Sequence, residues 1–510
     1  MCGILSVISN RNITNVDTIK QCGECLDRRG LDSRNCIIND KGIFIFYRLA
    51  INDPSVEGDQ PFVNDDIIMM CDGEIYNNLQ LEEKYELKCR SLNDCEVVIK
   101  LYKKIGFVET IKKLYGIYSI VLVHGDNVYL ARDKFGVKPL YFGITHDKCL
   151  AVSSLPNSLT DICEQIFHFP PGVTAIHNIT SLQNSTTNVK ILEYLHQDKI
   201  EIGNNKLNEV SSGFVLKEAL IHSIKQRINC SQPIGCLLSG GFNSSIITAI
   251  LCRFLGSKNV KTFSIGMKDS NDIQFSRKVA EFLGTNHTEI IFNKKEGFLN
   301  IPDVIKTLCS YDINTVRSSI AIYILSKYIK ENTDVKILFS GEGLDELLCG
   351  YSYFNNSPSK EDSENESIRL LNNLHFYDIL RIERCTSVNG LQCRLPFLDK
   401  NFVDIILNLP ITQKLPQQGF EKYIIRKVFE DYLPCDIIWR TKESIPDGFS
   451  DKENPWSKYV QEICEYKIHE EIFNNHYPTK ESYYYKLVFD KLFPTYNIKI
   501  PYWLPKWSNL

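Results

Sequence analysis

A cysteine stands directly behind the initiator methionine in the opening stretch MCGILSV. Once Met1 is removed, Cys2 carries a thiol and a free α-amine, and an α-amine with a pKa of about 8 accepts the thiol proton near neutral pH. A lone terminal cysteine is more often structural, but this one is accompanied by charged residues that end or follow predicted strands. They are Arg48 in YRLAINDP, Asp72 and Glu74 in CDGEIYNN, and Asp94 in LNDCEVV. The presence of these charged residues favours Cys2 as a nucleophile whose own α-amine acts as the base.

A second stretch that could take part in chemistry is CLLSGGFNSSIITAI. Its pattern is typical of a strand, a tight turn at Ser239, Gly240 and Gly241, and a helix. Glycines let the backbone approach a ligand closely, and the amides at a helix start favour an anion. The turn lacks the Gly-Lys-Ser/Thr ending of a Walker A loop. Farther on, the segment LFSGEGLDELLCGYSYF places Glu342 and Asp345 after another predicted strand. Acidic residues beside a phosphate cradle suit magnesium ligands or groups near a reacting amine.

The elements that must position these residues differ between two halves of the chain. Up to about residue 195, short β-rich segments alternate with turn signals, and HGDN between Val123 and Val128 indicates a hairpin. Longer helical patterns would cover the faces of the sheets. The first half therefore predicts an α+β fold in which stacked, largely antiparallel sheets lie between helices.

Beyond the polar stretch HQDKIEIGNNKLNEV, strands and helices alternate along the chain. This alternation predicts an α/β domain with a parallel sheet, whose ligand lies beyond the carboxyl ends of the strands. The boundary falls near residues 195–212, which gives predicted domains at 1–200 and 201–510. Within the second, NNSPSKEDSENES is polar enough to predict a mobile loop.

The composition is that of a folded chain with sizeable cores: 510 residues, of which 43% are hydrophobic and 24% charged. The formal charge of -4 and the lack of a long basic run give no footprint for a nucleic acid or an anionic membrane. The apolar runs fall well short of the roughly 20 residues that span a bilayer, and no signal segment opens the chain. We therefore expect a cytoplasmic protein whose 18 cysteines are mostly reduced.

With these motifs in view, the first half resembles the class II glutamine amidotransferases, whose glutaminase domains are αββα sandwiches of the N-terminal nucleophile hydrolase type. LARDKFGVKPLYFG is similar to the segment that ends in the family's Gly-x-x-Pro-Leu-Tyr turn. The resemblance implies that Cys2 attacks the amide of glutamine, that Arg48 holds its α-carboxylate, and that Glu74 and Asp94 hold its α-ammonium. The glutamine-binding residues that it implies are Arg48, Leu49, Ala50, Ile51, Asn52, Asp72, Gly73, Glu74 and Asp94.

Two residues of this half depart from the family pattern. Asp72 replaces the asparagine of NGEIYN, whose amide donates to the oxyanion, and loss of one such donor costs roughly 100- to 1000-fold in rate. Only a protonated Asp72 would donate in its place, so we expect its pKa to be raised. DRRGLD stands for the family's RHRGPD, which keeps Arg29, Gly30 and Asp32 but loses a histidine.

The later motifs extend the resemblance over nearly the whole chain. SGGFNSS, SGEG, GLQCRLPFLDKNFVD and YIIRKVFEDYLPCDIIWRTKESIPDGFS follow one another as in the glutamine-hydrolysing asparagine synthetases, which carry an ATP-pyrophosphatase domain. The family implies a ligase that uses L-glutamine, L-aspartate and ATP with Mg²⁺, and its members often form homodimers. An amidophosphoribosyltransferase would share the first half but should lack SGGFNSS and SGEG.

The resemblance also assigns roles in the second half. Besides Cys2, it makes Glu342 and Lys442 catalytic, Glu342 in adenylation and ammonia attack and Lys442 in neutralising phosphate charge. It implies magnesium-pyrophosphate ligands at Asp345 and Asp399. The ATP-binding residues that it implies are Leu238, Ser239, Gly240, Gly241, Asn243, Ser244, Ser245, Ile265, Ser340 and Gly341.

Asn243 is the third departure, because the family has aspartate there in SGGLDSS. Its carbonyl oxygen can still face magnesium but lacks the charge, so weaker metal affinity is expected. Two alternatives to a complete enzyme therefore stay open. Asp72 is compatible with an ammonia-dependent synthetase whose glutaminase half is impaired, and Asn243 with a catalytically silent homologue that binds metabolites.

Overall fold

A computed structural model describes the chain except at residues 12, 181–191, 204–208, 452, 454, 471–472, 475, 497–499 and 508–510. The backbone contacts divide it into two compact units. The first contains Met1–Lys199 together with Ser387–Gly390 and a stretch that begins at Phe493, and the second contains the remainder. The polar segment in which the domain boundary was expected lies partly outside the described residues. No helix in the described ranges combines the length and the apolar character needed to cross a bilayer.

The first unit is built on two six-stranded antiparallel sheets. Their orders are β10-β8-β9-β1-β3-β2 and β12-β11-β7-β6-β5-β4. The strands are β1 (Gly3–Ile8), β2 (Ser33–Asn39), β3 (Gly42–Arg48), β4 (Phe62–Asn64), β5 (Ile67–Ile75), β6 (Gly116–His124), β7 (Asn127–Arg132), β8 (Tyr141–Thr145), β9 (Leu150–Ser153), β10 (Cys163–His168), β11 (Val173–Asn178) and β12 (Glu193–Gln197). The helices are α1 (Val16–Gly23), α2 (Asn78–Tyr85), α3 (Glu96–Ile105) and α4 (Phe107–Lys113).

Alternation of side chains along the central strands produces the layers of this unit. Ile4 of β1 and Phe44 of β3 share a buried cluster with Met70 of β5 and Val121 of β6, which joins the two sheets face to face. The opposite face of β1 and β3 packs on α1, and the opposite face of β5 and β6 packs on α3 and α4. These layers confirm the expected αββα sandwich. The predicted hairpin is also confirmed, since His124 pairs with Asn127 across the β6–β7 turn.

The second unit contains a five-stranded parallel sheet of order β15-β14-β13-β16-β17. Its strands are β13 (Ile234–Leu237), β14 (Lys261–Gly266), β15 (Asn286–Ile291), β16 (Ile337–Phe339) and β17 (Gln392–Arg394). The order reverses direction at β13, so β13 and β16 flank the point where a ligand site is expected. The α/β prediction for this half is confirmed.

Helices connect and surround these strands. They are α5 (Glu209–Arg227), α6 (Phe242–Leu255), α7 (Asn271–Leu283), α8 (Lys294–Leu299), α9 (Ile301–Leu308), α10 (Ile313–Asn332), α11 (Leu344–Leu347), α12 (Lys360–Asn373), α13 (Asp378–Ser387), α14 (Lys400–Leu407), α15 (Ile411–Lys414), α16 (Tyr423–Val428), α17 (Cys435–Ile438), α18 (Ile445–Gly448), α19 (Trp456–Lys467) and α20 (Lys480–Leu492).

The prediction of a mobile loop at NNSPSKEDSENES was wrong, because most of that stretch forms the start of α12. The Ser359 side chain caps the helix by accepting the Asp362 amide at 3.0 Å. Glu366 is buried and bonded, with the Tyr353 hydroxyl at 2.8 Å and the Arg369 guanidinium at 2.7 Å. A polar segment can therefore pack when its charges find partners.

Candidate active sites

The nucleophile lies where β1 begins, between the ends of β3 and β5. The Cys2 backbone nitrogen donates to Asp72 Oδ1 at 3.0 Å, and Cys2 Sγ lies 3.9 Å from the Leu49 carbonyl oxygen. Burial raises the pKa of the Cys2 thiol above its usual value. Because Gly3 pairs with Tyr47, strand pairing brings residue 2 beside Arg48 and Leu49. Three parts of the sequence that were expected to converge therefore do meet here.

Asp72 belongs to a buried ionic cluster. Arg29 Nη2 lies 3.1 Å from Asp72 Oδ2, and Lys138 Nζ lies 3.4 Å from Asp72 Oδ1. Burial alone would raise the pKa of Asp72, but Lys138 and Arg29 outweigh it and hold that pKa below its ordinary value. The expected raised pKa was therefore wrong. Asp72 is an ionised acceptor and cannot stand in for an amide donor.

Arg29 links this cluster to the nucleophile. Its Nε donates to the Cys2 carbonyl oxygen at 2.8 Å and its Nη1 to Ser387 Oγ at 3.0 Å, in addition to the Asp72 pair. Lys138 Nζ also donates to the Met1 sulfur at 2.9 Å. The family pattern had singled out Arg29 as a retained residue, but Lys138 in GVKPL carried no signal of its own in the sequence.

Arg48 is the last residue of β3, and its buried side chain lies against the loop that follows the strand. Its Nη1 donates to the Ser55 carbonyl oxygen at 2.6 Å and to Asp59 Oδ1 at 2.7 Å, and its Nη2 donates to the Asp53 carbonyl oxygen. These bonds fix the guanidinium in the loop. The binding of a substrate carboxylate by Arg48 stays a prediction.

Glu74 and Asp94 form a pair of buried carboxylates at the end of β5. Asp94 accepts from Asn52 Nδ2 at 2.7 Å and from the Ile75 amide at 2.5 Å, and Glu74 accepts from the Tyr76 hydroxyl at 3.2 Å. Burial, and then the charge of Glu74, raise the pKa of Asp94 to about 6. Two carboxylates that disfavour each other's charge are stabilised by a cation between them. The pair therefore suits an ammonium group.

In the second unit, the Ser239–Gly241 turn opens a cavity of about 900 Å³. The turn joins β13 to α6, and Gly240 has φ +72°. A Cβ on Gly240 would lie 2.4 Å from the backbone of Phe275, so only glycine fits. Ser244 Oγ accepts the Ser239 amide at 3.2 Å, which fixes the turn against the first turn of α6.

Most of the nucleotide-binding and catalytic residues predicted for this half line that cavity. Those that do are Leu238, Ser239, Gly241, Asn243, Ser244, Ile265, Ser340, Gly341, Glu342, Asp345 and Lys442. Gly240, Ser245 and Asp399 are not among the lining residues. Gly240 lies against the backbone of Phe275, and Ser245 is wholly buried.

An acidic group faces the cavity beyond the glycine-rich turn. The Ser340 hydroxyl donates to Glu342, and Arg381 Nη2 lies 3.4 Å from the same carboxylate. Arg381 Nη1 lies 2.7 Å from Asp378. Burial, followed by Asp378, raises the pKa of Glu346 to about 8, and the Tyr351 hydroxyl donates to Glu346. Arg381 and Asp378 were not singled out in the sequence, and Glu346 was recognised as an acidic residue of the SGEG motif segment but was assigned no role.

Asp345 forms a compact ionic group with two lysines and Asn243. Its Oδ1 lies 2.6 Å from Lys422 Nζ, and its Oδ2 lies 2.7 Å from Lys442 Nζ and 2.9 Å from Asn243 Nδ2. These cations outweigh burial and hold the pKa of Asp345 well below its usual range. Lys422 was missed in the sequence because KYIIRK reads as an ordinary helix start.

The donor set does not fit a resident magnesium ion. Both carboxylate oxygens of Asp345 lie against ammonium groups, and the Asn243 carbonyl accepts Lys422 Nζ at 3.0 Å. Hard cations need several oxygen ligands turned toward them. No group of three or more His, Cys, Asp or Glu side chains that could hold a metal occurs in the described part of the chain.

The structure gives Asp399 a different role from the predicted metal ligand. Its Oδ1 accepts the amides of Asn401 and Phe402 at 3.1 and 3.2 Å, which caps α14, and its Oδ2 lies 2.8 Å from Arg227 Nη1. The carboxylate is buried among these partners. Asp399 is a helix cap and ion-pair partner, and the binding of a metal by Asp399 stays a prediction.

Comparisons with known proteins give a separate family match for each half of the chain. Residues 1–207 match the family model described as a glutamine amidotransferase domain, and residues 215–370 and 355–507 match the one described as asparagine synthase. Proteins named asparagine synthetase [glutamine-hydrolyzing] from Cricetulus griseus and Homo sapiens are each 35% identical over 546 aligned positions, covering 100% of this chain and 97% of theirs. The protein of that name from Gallus gallus is 36% identical over 498 positions, with 91% and 89% covered.

Proposed function

The chain belongs to the glutamine-hydrolysing asparagine synthetase family, and on that premise we propose that it is a ligase that transfers ammonia from L-glutamine to L-aspartate. ATP is the activating substrate, and the products are L-asparagine, glutamate, AMP and diphosphate. The observation that carries the proposal is that each unit holds its own chemistry. The first holds a half-buried thiol beside charged residues, and the second holds a glycine-rich helix start that lines a cavity.

In the first unit, we assign Cys2 as the nucleophile. Its Sγ attacks the side-chain amide carbon of glutamine, ammonia leaves, and water hydrolyses the resulting thioester to glutamate. The α-amine freed by removal of Met1 takes the thiol proton and passes it to the leaving nitrogen. Asp72 accepts from that same nitrogen at 3.0 Å and so orients the amine. The oxyanion then needs backbone donors, for which the Gly73 amide is our candidate.

Recognition of glutamine is assigned to the charged residues around Cys2. Glu74 and Asp94 present a buried negative pair to its α-ammonium. Arg48 presents a guanidinium suited to its α-carboxylate. Because Arg48 already donates to Asp59 and to two carbonyls of its loop, one of those partners must give way when the substrate binds.

In the second unit, the β-carboxylate of aspartate attacks the α-phosphorus of ATP and diphosphate leaves. Ammonia then attacks the acyl carbon of the β-aspartyl adenylate, and AMP leaves. The amides at the start of α6 and the Lys442 ammonium face the phosphates, where they offset negative charge. Glu342 is positioned by Ser340 and Arg381 to take the proton from the attacking ammonia.

Magnesium enters this scheme only as part of the nucleotide substrate. The residues expected to hold it are Asp345, which faces two lysines, and Asp399, which caps a helix. No step is therefore assigned to a protein-bound metal. A homodimer, which the family resemblance implies, stays a prediction.

A second candidate function is supported by one observation, the ionised state of Asp72. A carboxylate at the position of the family's oxyanion donor disfavours the tetrahedral intermediate, and loss of one donor costs roughly 100- to 1000-fold in rate. The chain would then be a synthetase that depends on free ammonia. The two candidates differ only in which nitrogen source supports asparagine formation.

The test compares the parent enzyme with Cys2→Ala, each supplied with glutamine or with ammonium chloride. Asparagine and diphosphate are measured separately. We expect Cys2→Ala to lose glutamine-supported synthesis and to retain ammonium-supported synthesis. Cys36→Ala, at an exposed cysteine of β2, is the matched control and should retain both. A parent enzyme active with ammonium alone would favour the second candidate, and one that forms no asparagine from either source would overturn both.

A further inference from the structure

The side-chain amide of Asn243 connects three parts of the second unit. Its Nδ2 donates to the Gly341 carbonyl oxygen at 3.1 Å and to Asp345 Oδ2 at 2.9 Å, and its Oδ1 accepts from Lys422 Nζ at 3.0 Å. Both ends of the amide are therefore occupied. An aspartate at this position has no donor for Gly341 or Asp345, so the arrangement depends on the residue by which this chain departs from its family.

Lys422 has a backbone conformation that is uncommon for a lysine. Its backbone has φ +58°, in the left-handed region, and its side chain is buried. Strain of this kind is concentrated at functional sites. Gly350 leaves the space that the side chain needs, since a Cβ there would lie 2.6 Å from Lys422 Cε and 2.3 Å from Asp345 Oδ1. The left-handed backbone of Lys422 and the absence of a side chain at Gly350 together allow the Lys422 ammonium group to lie at the cavity wall.

The charge of this corner is unusual for a site that shares magnesium with a nucleotide. Lys422 and Lys442 contribute two positive charges, Asp345 one negative charge, and Asn243 none. An aspartate at position 243 would make the corner neutral and would set two carboxylates side by side, which favours a bound cation. With asparagine the corner keeps a positive charge without any metal.

We propose that Lys422, held by the Asn243 carbonyl, is a built-in counter-ion for the phosphates of ATP, so that this chain binds ATP with little dependence on magnesium. The inference rests on the proposed function, because it takes ATP as the ligand of the cavity. When ATP enters, its β- and γ-phosphate oxygens compete with Asp345 for Lys422 and Lys442. The phosphates carry more charge than one carboxylate, and the Lys422 ammonium has further N–H donors for them while one stays on the Asn243 carbonyl.

The test measures ATP binding by isothermal titration calorimetry without glutamine or aspartate, so that no turnover occurs. Each protein is titrated once in EDTA and once in excess Mg²⁺. For the parent, we expect the two dissociation constants to differ by less than about threefold, since the counter-ion is already present. For Asn243→Asp, we expect Mg²⁺ to tighten binding by about tenfold or more, because the added carboxylate creates a demand for a cation.

Lys422→Gln tests the counter-ion itself. It should weaken ATP binding in EDTA by about tenfold or more, with partial recovery in Mg²⁺. Lys427→Gln is the matched control, because Lys427 lies on helix α16, which Lys422 immediately precedes, but is exposed and pairs with Glu430 at 2.8 Å. It should bind ATP as the parent does. Far-ultraviolet circular dichroism of each variant confirms that the fold is intact.

Two results would overturn the inference, and they separate it from the proposed function. A parent that binds ATP about tenfold or more tightly in Mg²⁺ than in EDTA refutes the counter-ion but leaves a nucleotide-binding enzyme. A parent that binds no ATP in either buffer refutes both.

Discussion

Replacing Asp72 by asparagine should destabilise the first unit while speeding glutamine hydrolysis. Asp72 is buried between Arg29 and Lys138, so the change removes a carboxylate from two buried cations. Breaking a buried pair in this way costs about 3 to 5 kcal/mol. Arg29 keeps its bonds to the Cys2 carbonyl and to Ser387, which places the expected loss near the lower figure, about 3 kcal/mol.

The pH dependence of this loss has a definite sign. The pKa of Asp72 is lower in the folded protein than the value of about 3.9 expected for an unfolded chain. A carboxylate with a depressed pKa stabilises the fold fully above its unfolded pKa and loses that contribution as the pH falls through its folded pKa. The gap between parent and variant should therefore be constant from about pH 5 to 8 and should narrow below about pH 4.

Hydrogen–deuterium exchange of β5 and β6 is the appropriate stability assay. All four tryptophans, at positions 439, 456, 503 and 507, lie in the second unit, so their fluorescence would miss the change. Asp126→Asn is the control, because Asp126 forms only an exposed pair with Lys41, worth less than about 1 kcal/mol. A loss below about 1 kcal/mol at pH 7, or a gap that widens in acid, would refute the ionised buried carboxylate.

The same variant should hydrolyse glutamine faster per folded molecule. Asparagine supplies an amide donor at every pH, and it removes the carboxylate charge that lies 3.0 Å from the Cys2 nitrogen. We expect a gain of roughly tenfold or more in kcat, bounded by the value of one oxyanion donor. A variant with unchanged kcat at pH 8 would show that backbone donors already suffice.

Three further predictions concern single carboxylates. Glu342→Gln should abolish asparagine formation and leave glutamine hydrolysis intact; unimpaired asparagine synthesis would remove Glu342 from the mechanism. Because the pKa of Asp94 is about 6, the KM for glutamine should rise as the pH falls through about 6, whereas Asp94→Asn should show a high KM that no longer changes there. Asp399→Ala should lower the free energy of unfolding by about 3 to 5 kcal/mol, because it leaves the buried Arg227 without this carboxylate. The KM for ATP, measured under conditions where the variant is folded, should not change. A raised KM would indicate that Asp399 acts in the ATP site.

Local patterns in the sequence predicted most of the layers. The period-2 strands and the HGDN turn predicted antiparallel sheets, and the Ser239–Gly241 turn before α6 lies at the end of a parallel strand as expected. The sequence also contained signals that were not used. Ser359 with Glu361 and Asp362 in the next turn indicates a helix start, and Asp399 before an apolar helical pattern indicates a cap. The wrong prediction of a mobile loop came from judging polar residues by composition instead of by position, and the role of Asp399 was taken from the family resemblance alone.

Partners that are remote in sequence could not be predicted in this way. Lys422 and Asn243 are 179 residues apart in sequence, and Lys138, in the segment between β7 and β8, contacts Asp72 of β5. The residues next to each lysine in sequence form no motif from which its contact could be predicted. The ionisation of Asp72 depends on these contacts, so the residue type alone suggested a raised pKa when the fold lowers it.

The Arg29–Ser387 bond has a consequence for the growing chain. Ser387 and its neighbours cluster with the first unit although they follow most of the second unit in sequence, and 358 residues separate the two partners. At about 5 to 20 residues per second, Ser387 is synthesised roughly 20 to 70 s after Arg29. The β-sandwich can collapse during that interval, but the bond from Arg29 to Ser387 can form only afterwards. The surroundings of the nucleophile are therefore completed late in translation, after most residues of the second unit have been synthesised.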